Sequence, residues 1–178
     1  KSKFLPGVQT GVGEVLDEII FKTGDYLFKE GLRIEGSSDS IPLVIDLSSN
    51  DPTVWVKDSL HISSVHPLQT QLKLGTGLFK LIDADVSVLS TDLTGEATST
   101  FEFNQTSDQS LVFESDDLLP NFVMKGSGNL EWTIGDTPIQ SLVIEGPDVE
   151  YTAELIQIQN DMTVTGGAKS FKNAPTEK

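Results

Sequence analysis

The chain has 178 residues, 37% hydrophobic and 22% charged, with no cysteine and a formal net charge of −15. That length suits one domain with a substantial core, and the lack of cysteine excludes disulfides, thiolate metal sites and cysteine nucleophiles. The acidic excess argues against nucleic acid and anionic membrane surfaces as partners, and no run reaches the roughly 18 apolar residues of a membrane-spanning helix.

The charge is segregated. From Leu81 to Ala168 there are sixteen carboxylates and one cation, Lys125, whereas Lys1, Lys3, Lys169, Lys172 and Lys178 lie near the two termini. Residues 1–13 contain Pro6, Gly7, Gly11 and Gly13 without periodicity and read as an extended arm. The chain opens on lysine, as a processed or partial product would, and shows no signal peptide, which is also what a chain already relieved of one would show.

Residues 13–22 hold the one predicted helix, from Val12, Val15, Leu16, Ile19 and Ile20 at helical spacing. Glu14, Asp17 and Glu18 at its start and Lys22 at its end suit the helix dipole, and Gly24 is placed to stop it. The β-branched residues support a rival strand over 19–21.

Beyond Gly24 the period becomes two. It predicts strands over 26–28, 32–35, 43–47, 53–57, 60–63, 69–74, 78–82, 85–89, 97–103, 110–114, 122–125, 129–134, 140–145, 149–153, 154–159 and 162–165. Turn clusters such as 36–39, 48–52, 126–129 and 146–148 separate them. Leu32, Ile34, Val44, Leu72, Leu74, Phe101, Phe103, Val112, Trp132, Ile134, Val143, Ile156 and Ile158 form the predicted core. The fold class is all-β, a sandwich or jelly-roll-like fold or a β-solenoid, with at most one short N-terminal helix. The organisation is an arm over 1–13, a single β-rich domain over 14–165 and a flexible tail over 166–178.

From Ser141 the text beats in steps of six or seven residues: 141–146, 147–153, 154–160 and 161–167. Each step supplies one short strand and one corner, as a narrow stacked β-prism requires. With its closing phrase Met162-Thr163-Val164-Thr165-Gly166-Gly167, this segment resembles the β-helical ends of phage tail and baseplate spike proteins. The resemblance covers about a sixth of the chain and implies a virion component.

Catalytic motifs are sparse. His61 and His66 are the only histidines; Asp58, Ser59, Ser63 and Ser64 lie near them, but no G-x-S-x-G elbow accompanies them. Asp83 with Asp85, Asp116 with Asp117, and Asp148 with Glu150 are carboxylate pairs of the kind glycoside hydrolysis uses. The first pair, at i and i+2, would share a sheet face. A solvated acidic face is the default reading of all three. Ser107–Asp108 and 115–117 are loop-placed oxygens that a structural calcium would use, without the D-x-[DN]-x-[DN]-G ladder; no other cofactor is expected. Gly75-Thr76-Gly77 reads as a tight turn, and Asn104-Gln105-Thr106 as a formal glycosylation sequon. Trp132 belongs to the core, whereas Trp55 is either core or a surface platform for a sugar ring.

No nucleophile, base and oxyanion donor occur together, so the expected function is that of a non-catalytic structural subunit of a larger assembly. A virion component comes first, as a tail, baseplate or capsid-decorating protein. The alternatives are a bacterial or archaeal surface filament subunit and a secreted carbohydrate-binding β module. The expected partners are copies of itself and other structural proteins, in a virion or at a cell surface. Phe4, Leu5, Lys169, Phe171 and Lys172 are the expected assembly contacts, apolar anchors with lysines for steering.

Overall fold

The computed structural model describes residues 18–36, 43–48, 50–64, 70–89, 91–94, 99–114, 118–128, 130–133, 138–145, 149–153, 157–165 and 169–173. Within them the chain forms sixteen strands and no helix. In order these are β1 (Glu18–Ile20), β2 (Asp25–Phe28), β3 (Leu32–Gly36), β4 (Leu43–Asp46), β5 (Thr53–Ser64) and β6 (Thr70–Lys73). They continue with β7 (Leu78–Leu89), β8 (Thr91–Thr94), β9 (Thr100–Gln105), β10 (Gln109–Phe113) and β11 (Asn121–Gly126). The last five are β12 (Leu130–Thr133), β13 (Leu142–Ile144), β14 (Val149–Ala153), β15 (Met162–Val164) and β16 (Lys169–Asn173).

The strand pairs are parallel and stack in three columns, so the fold is a three-faced β-solenoid. Face one runs β2-β5-β7-β9-β11-β13-β15, and face two runs β3-β5-β7-β10-β12-β14-β16. Face three is β1-β4-β6-β8, with the further parallel bridges Leu119↔Ile139↔Ile158 among the described residues. β5 and β7 belong to two faces because each bends midway, at Asp58 and Asp83, which both take positive φ (72° and 46°). Aspartate tolerates that left-handed backbone better than most residues. The bends fall where the sequence separates 53–57 from 60–63 and 78–82 from 85–89.

Stacking places like positions over one another. On face one the inward ladder is Tyr26, Val54, Phe79, Phe101, Phe122, Leu142 and Met162. Its companion is Phe28, Val56, Leu81, Phe103, Met124, Ile144 and Val164. Phe79 stacks on Phe101 with centroids 4.8 Å apart, and Phe101, Phe103, Phe113 and Trp132 surround Phe122 at 5.3–6.2 Å. Such contacts add about 0.5–1.5 kcal/mol per pair beyond area burial.

The six-to-seven-residue beat of the closing segment is one face of a rung. Leu142 pairs with Met162, 20 positions on, with β14 and the Ile158 bridge between them. One corner between faces one and two is plugged by the buried Gln105 amide, which accepts from the Ala84 N–H and donates to the Ala84 carbonyl. Gly126 sits directly beneath at φ 87°, and a Cβ there would overlap the Gln105 backbone.

Three expectations need correction. The predicted helix over 13–22 is strand where it is described: Glu18–Ile20 pairs in register with β4, so cross-strand pairing and β-branching override the helical spacing; residues 13–17 lie outside the described residues. The five residues 169–173, assigned by sequence to a flexible tail, form β16 on β14. Val44, Val112 and Val143 are half-buried on the outer side, and Leu43, Ile45, Leu111, Phe113, Leu142 and Ile144 fill the interior instead. Leu72, Leu74, Phe101, Phe103 and Trp132 are buried as expected, Leu32, Ile34 and Ile158 pack partly buried against them, and Ile134 and Ile156 lie outside the described residues.

Phe122→Ala is expected to cost about 3–5 kcal/mol through lost burial and a cavity, whereas Val112→Ala should cost less than about 1.5 kcal/mol at an outward position. Gly126→Ala should cost at least about 1–3 kcal/mol from its backbone conformation alone. Denaturant midpoints check all three, and equal shifts for Phe122→Ala and Val112→Ala would show the faces to be misassigned.

Candidate functional site

The structure separates the carboxylate pair that sequence reading puts on one sheet face. Asp83 sits at the bend of β7 and Asp85 just beyond it, and each is turned toward the next rung. Asp83 accepts bonds from the backbone N–H and hydroxyl of both Thr106 and Ser107. Asp85 accepts from the Ser110 N–H at 2.8 Å and its hydroxyl at 3.1 Å. The Thr106 N–H above all, with the Thr106 hydroxyl and Ser107, holds the Asp83 carboxyl below the usual aspartate value against the opposing effect of burial. These carboxylates tie one rung to the next. Asp116, Asp117 and Asp148 lie outside the described residues, as does the loop 115–117; Asp108 is exposed at the corner below Asp83. Among the described residues no group of three or more His, Asp or Glu side chains could hold a metal ion.

His61 points outward from β5, with Nε2 3.0 Å from the Ser63 hydroxyl. Glu35 is in register with Ser63, but its carboxylate is bound by Arg33 at 2.6 Å. Among the described residues the pair therefore has no carboxylate orienting the imidazole, the third part of a hydrolytic triad. His66 lies outside the described residues.

Val54 and Val56 are fully buried, which turns Trp55 to the outside of face one. The Lys80 ammonium stands over its ring, 4.4 Å from the centroid. Lys80 begins a ladder of charges down the face. Glu102 lies between Lys80 at 3.9 Å and Lys125 at 3.0 Å, and Lys125 reaches Glu145 at 3.7 Å. The one cation of the acidic half is thus shared between two carboxylates. The hydrogen bond to Glu102, together with the charges of Glu102 and Glu145, raises the Lys125 pKa despite some desolvation.

Of the expected assembly contacts, Phe4 and Leu5 lie outside the described residues. Lys169, Phe171 and Lys172 occupy β16, in register with Val149, Tyr151 and Thr152 of β14. The feature that sequence reading passes over is the end of the face-one column, where Met162 and Val164 occupy inward positions yet are exposed. Their alternation with Thr163 was legible as a strand; that no strand stacks on it among the described residues was not.

No helix is long and apolar enough to cross a membrane among the described residues. Comparison with protein-family models, with curated proteins and with solved structures finds no match to this chain.

Two pH effects follow from the shifted groups. A depressed aspartate pKa contributes stability that is present above the ordinary value near 3.8 and lost as pH falls through the lower folded value. Asp83→Asn keeps a residue that tolerates positive φ and should flatten that acid limb. Lys125 acts with the opposite sign: its contribution is complete below 10.5 and lost as pH rises through its raised folded value, so Lys125→Gln should flatten the alkaline limb. Urea midpoints measured across pH check both, and unchanged limbs would show that these contacts do not differ between folded and unfolded chains.

Proposed function

We propose that this chain is a non-catalytic structural subunit of a larger assembly, a virion component of the tail, baseplate or capsid-decorating kind. The observation that carries this reading is the solenoid itself with its uncovered end. A column of parallel rungs presents edge strands at its ends, and β15 leaves an apolar rung exposed there. Such edges are templates for another chain unless they are covered. The likeness of residues 141–167 to phage spike ends supports the virion setting, and the cysteine-free sequence suits it. The outward polar groups described above bond mainly to one another along the rungs, which fits a rigid spacer better than a reaction centre.

A surface filament subunit draws on the same physics. The carbohydrate-binding alternative needs an open aromatic face, and Lys80 stands over Trp55. In the first reading the N-terminal arm, with Phe4 and Leu5, supplies anchors, while the lysines near both termini steer encounters between strongly acidic bodies.

Sedimentation of the 178-residue chain should give a particle heavier than the 19.3 kDa monomer. Association should weaken with added salt and persist, because exposed ion pairs contribute only about 0–1 kcal/mol each. Removing residues 1–13 should weaken it further. A monomer at every concentration would remove self-assembly as the function.

A further inference from the structure

The two ends of the solenoid differ. At the N-terminal end Phe21 and Tyr26 meet edge to face at 5.1 Å, the Tyr26 hydroxyl donates to the Lys22 carbonyl, and the two residues are 2% and 7% exposed. At the other end Leu142 and Ile144 of β13 are fully buried, while Met162 and Val164, in register beneath them, are 47% and 48% exposed. Ile19, Phe28, Leu32 and Ile34 at the first end are partly buried against the core, whereas the interior stops on more exposed apolar side chains at the other.

The backbone of β15 is unfinished in a matching way. The Leu142 N–H donates to the Asp161 carbonyl and the Thr165 N–H to the Ile144 carbonyl. Bonding groups alternate sides along a strand, so residues 161, 163 and 165 serve β13, while the N–H and C=O of Met162 and Val164 face the open edge. A strand centred on Thr163, whose groups at 162 and 164 meet no further strand among the described residues, complements itself in antiparallel pairing. Met162 of one copy and Val164 of the other then exchange both bonds, and the two Thr163 residues form the non-hydrogen-bonded pair on a two-fold axis. The same axis brings both copies' Met162 and Val164 side chains to one side of the joined sheet, which extends the apolar interior from one solenoid into the next.

Charge favours the same contact. Residues 157–173 carry one acid, Asp161, and two lysines, Lys169 and Lys172, in a chain of net charge −15. Two such chains repel over most of their surface and least where these ends meet.

We propose that the C-terminal end of the solenoid binds the same end of a second copy through antiparallel pairing of β15. This deepens the assembly reading and rests on it. Because both copies use the same edge, the contact is isologous and finite, a dimer rather than a head-to-tail fibre.

The test uses the absence of cysteine. A non-hydrogen-bonded antiparallel pair brings Cα atoms to about 4.5 Å, within the roughly 4.4–6.8 Å range of disulfides. Oxidised Thr163→Cys should run as a covalent dimer, whereas Ser87→Cys, outward in the middle of face two, should not. Val164→Lys should give a folded monomer by light scattering, with its β-type circular dichroism and unfolding midpoint retained. An oligomer that survives Val164→Lys and does not cross-link through Thr163→Cys would overturn this contact while leaving assembly standing. A wild-type monomer would overturn both, and a monomer whose Thr163→Cys thiol resists maleimide would show that its own chain covers the edge.

Discussion

The in-register stacking of inward positions is the constraint on which the rest of this structure depends. In a parallel ladder each inward side chain lies over its counterpart in the rung above. A slip of one residue would therefore turn a whole rung's apolar set into water. Tyr26, Val54, Phe79, Phe101, Phe122 and Leu142 satisfy that constraint on face one, and Leu32, Leu60, Val86, Leu111 and Trp132 satisfy it on face two. Parallel sheets are usually covered on both sides. Here the three faces cover one another inward and leave their outer sides to water, which is why alternation survives in the sequence.

Stacking has an electrostatic consequence for so acidic a chain. Like residues fall on like positions, so carboxylates in one ladder would repel. On face one they are interleaved with the available cations, with Glu102 between Lys80 and Lys125 and Lys125 between Glu102 and Glu145. At the corners Asp83 and Asp85 are held by N–H and hydroxyl donors of the following rung. These acids tie successive rungs together.

Much of this was legible in the residues. Alternation and turn residues marked most strands, and Asp58 and Asp83 already interrupted the pattern where β5 and β7 bend. The repeat was hidden because its length drifts. Along the outer ladder Leu27, Trp55, Lys80, Glu102, Val123, Val143 and Thr163, successive spacings are 28, 25, 22, 21, 20 and 20 residues. A fixed-period search cannot find such a series. The phrases Leu32–Gly36 and 142–146 look alike, yet β3 belongs to face two and β13 to face one. Phase was ambiguous where apolar residues run on without a break, as in Leu43–Ile45 and Leu142–Ile144, because such runs fit either face. The exposure of Met162 and Val164 was invisible for another reason: it depends on what stacks against their strand, which local pattern does not encode.

Distances along one outer ladder test the parallel in-register solenoid most directly. Spin labels on cysteines at Val143 and Trp55, four strands apart in register, and at Val143 and Leu27, five apart, report the stacking axis. With strands about 4.8 Å apart, the backbone separations should be about 19 Å and 24 Å, one strand spacing different. Separations that do not grow by one spacing per rung, as in a sandwich whose strands switch sheets, would contradict the account.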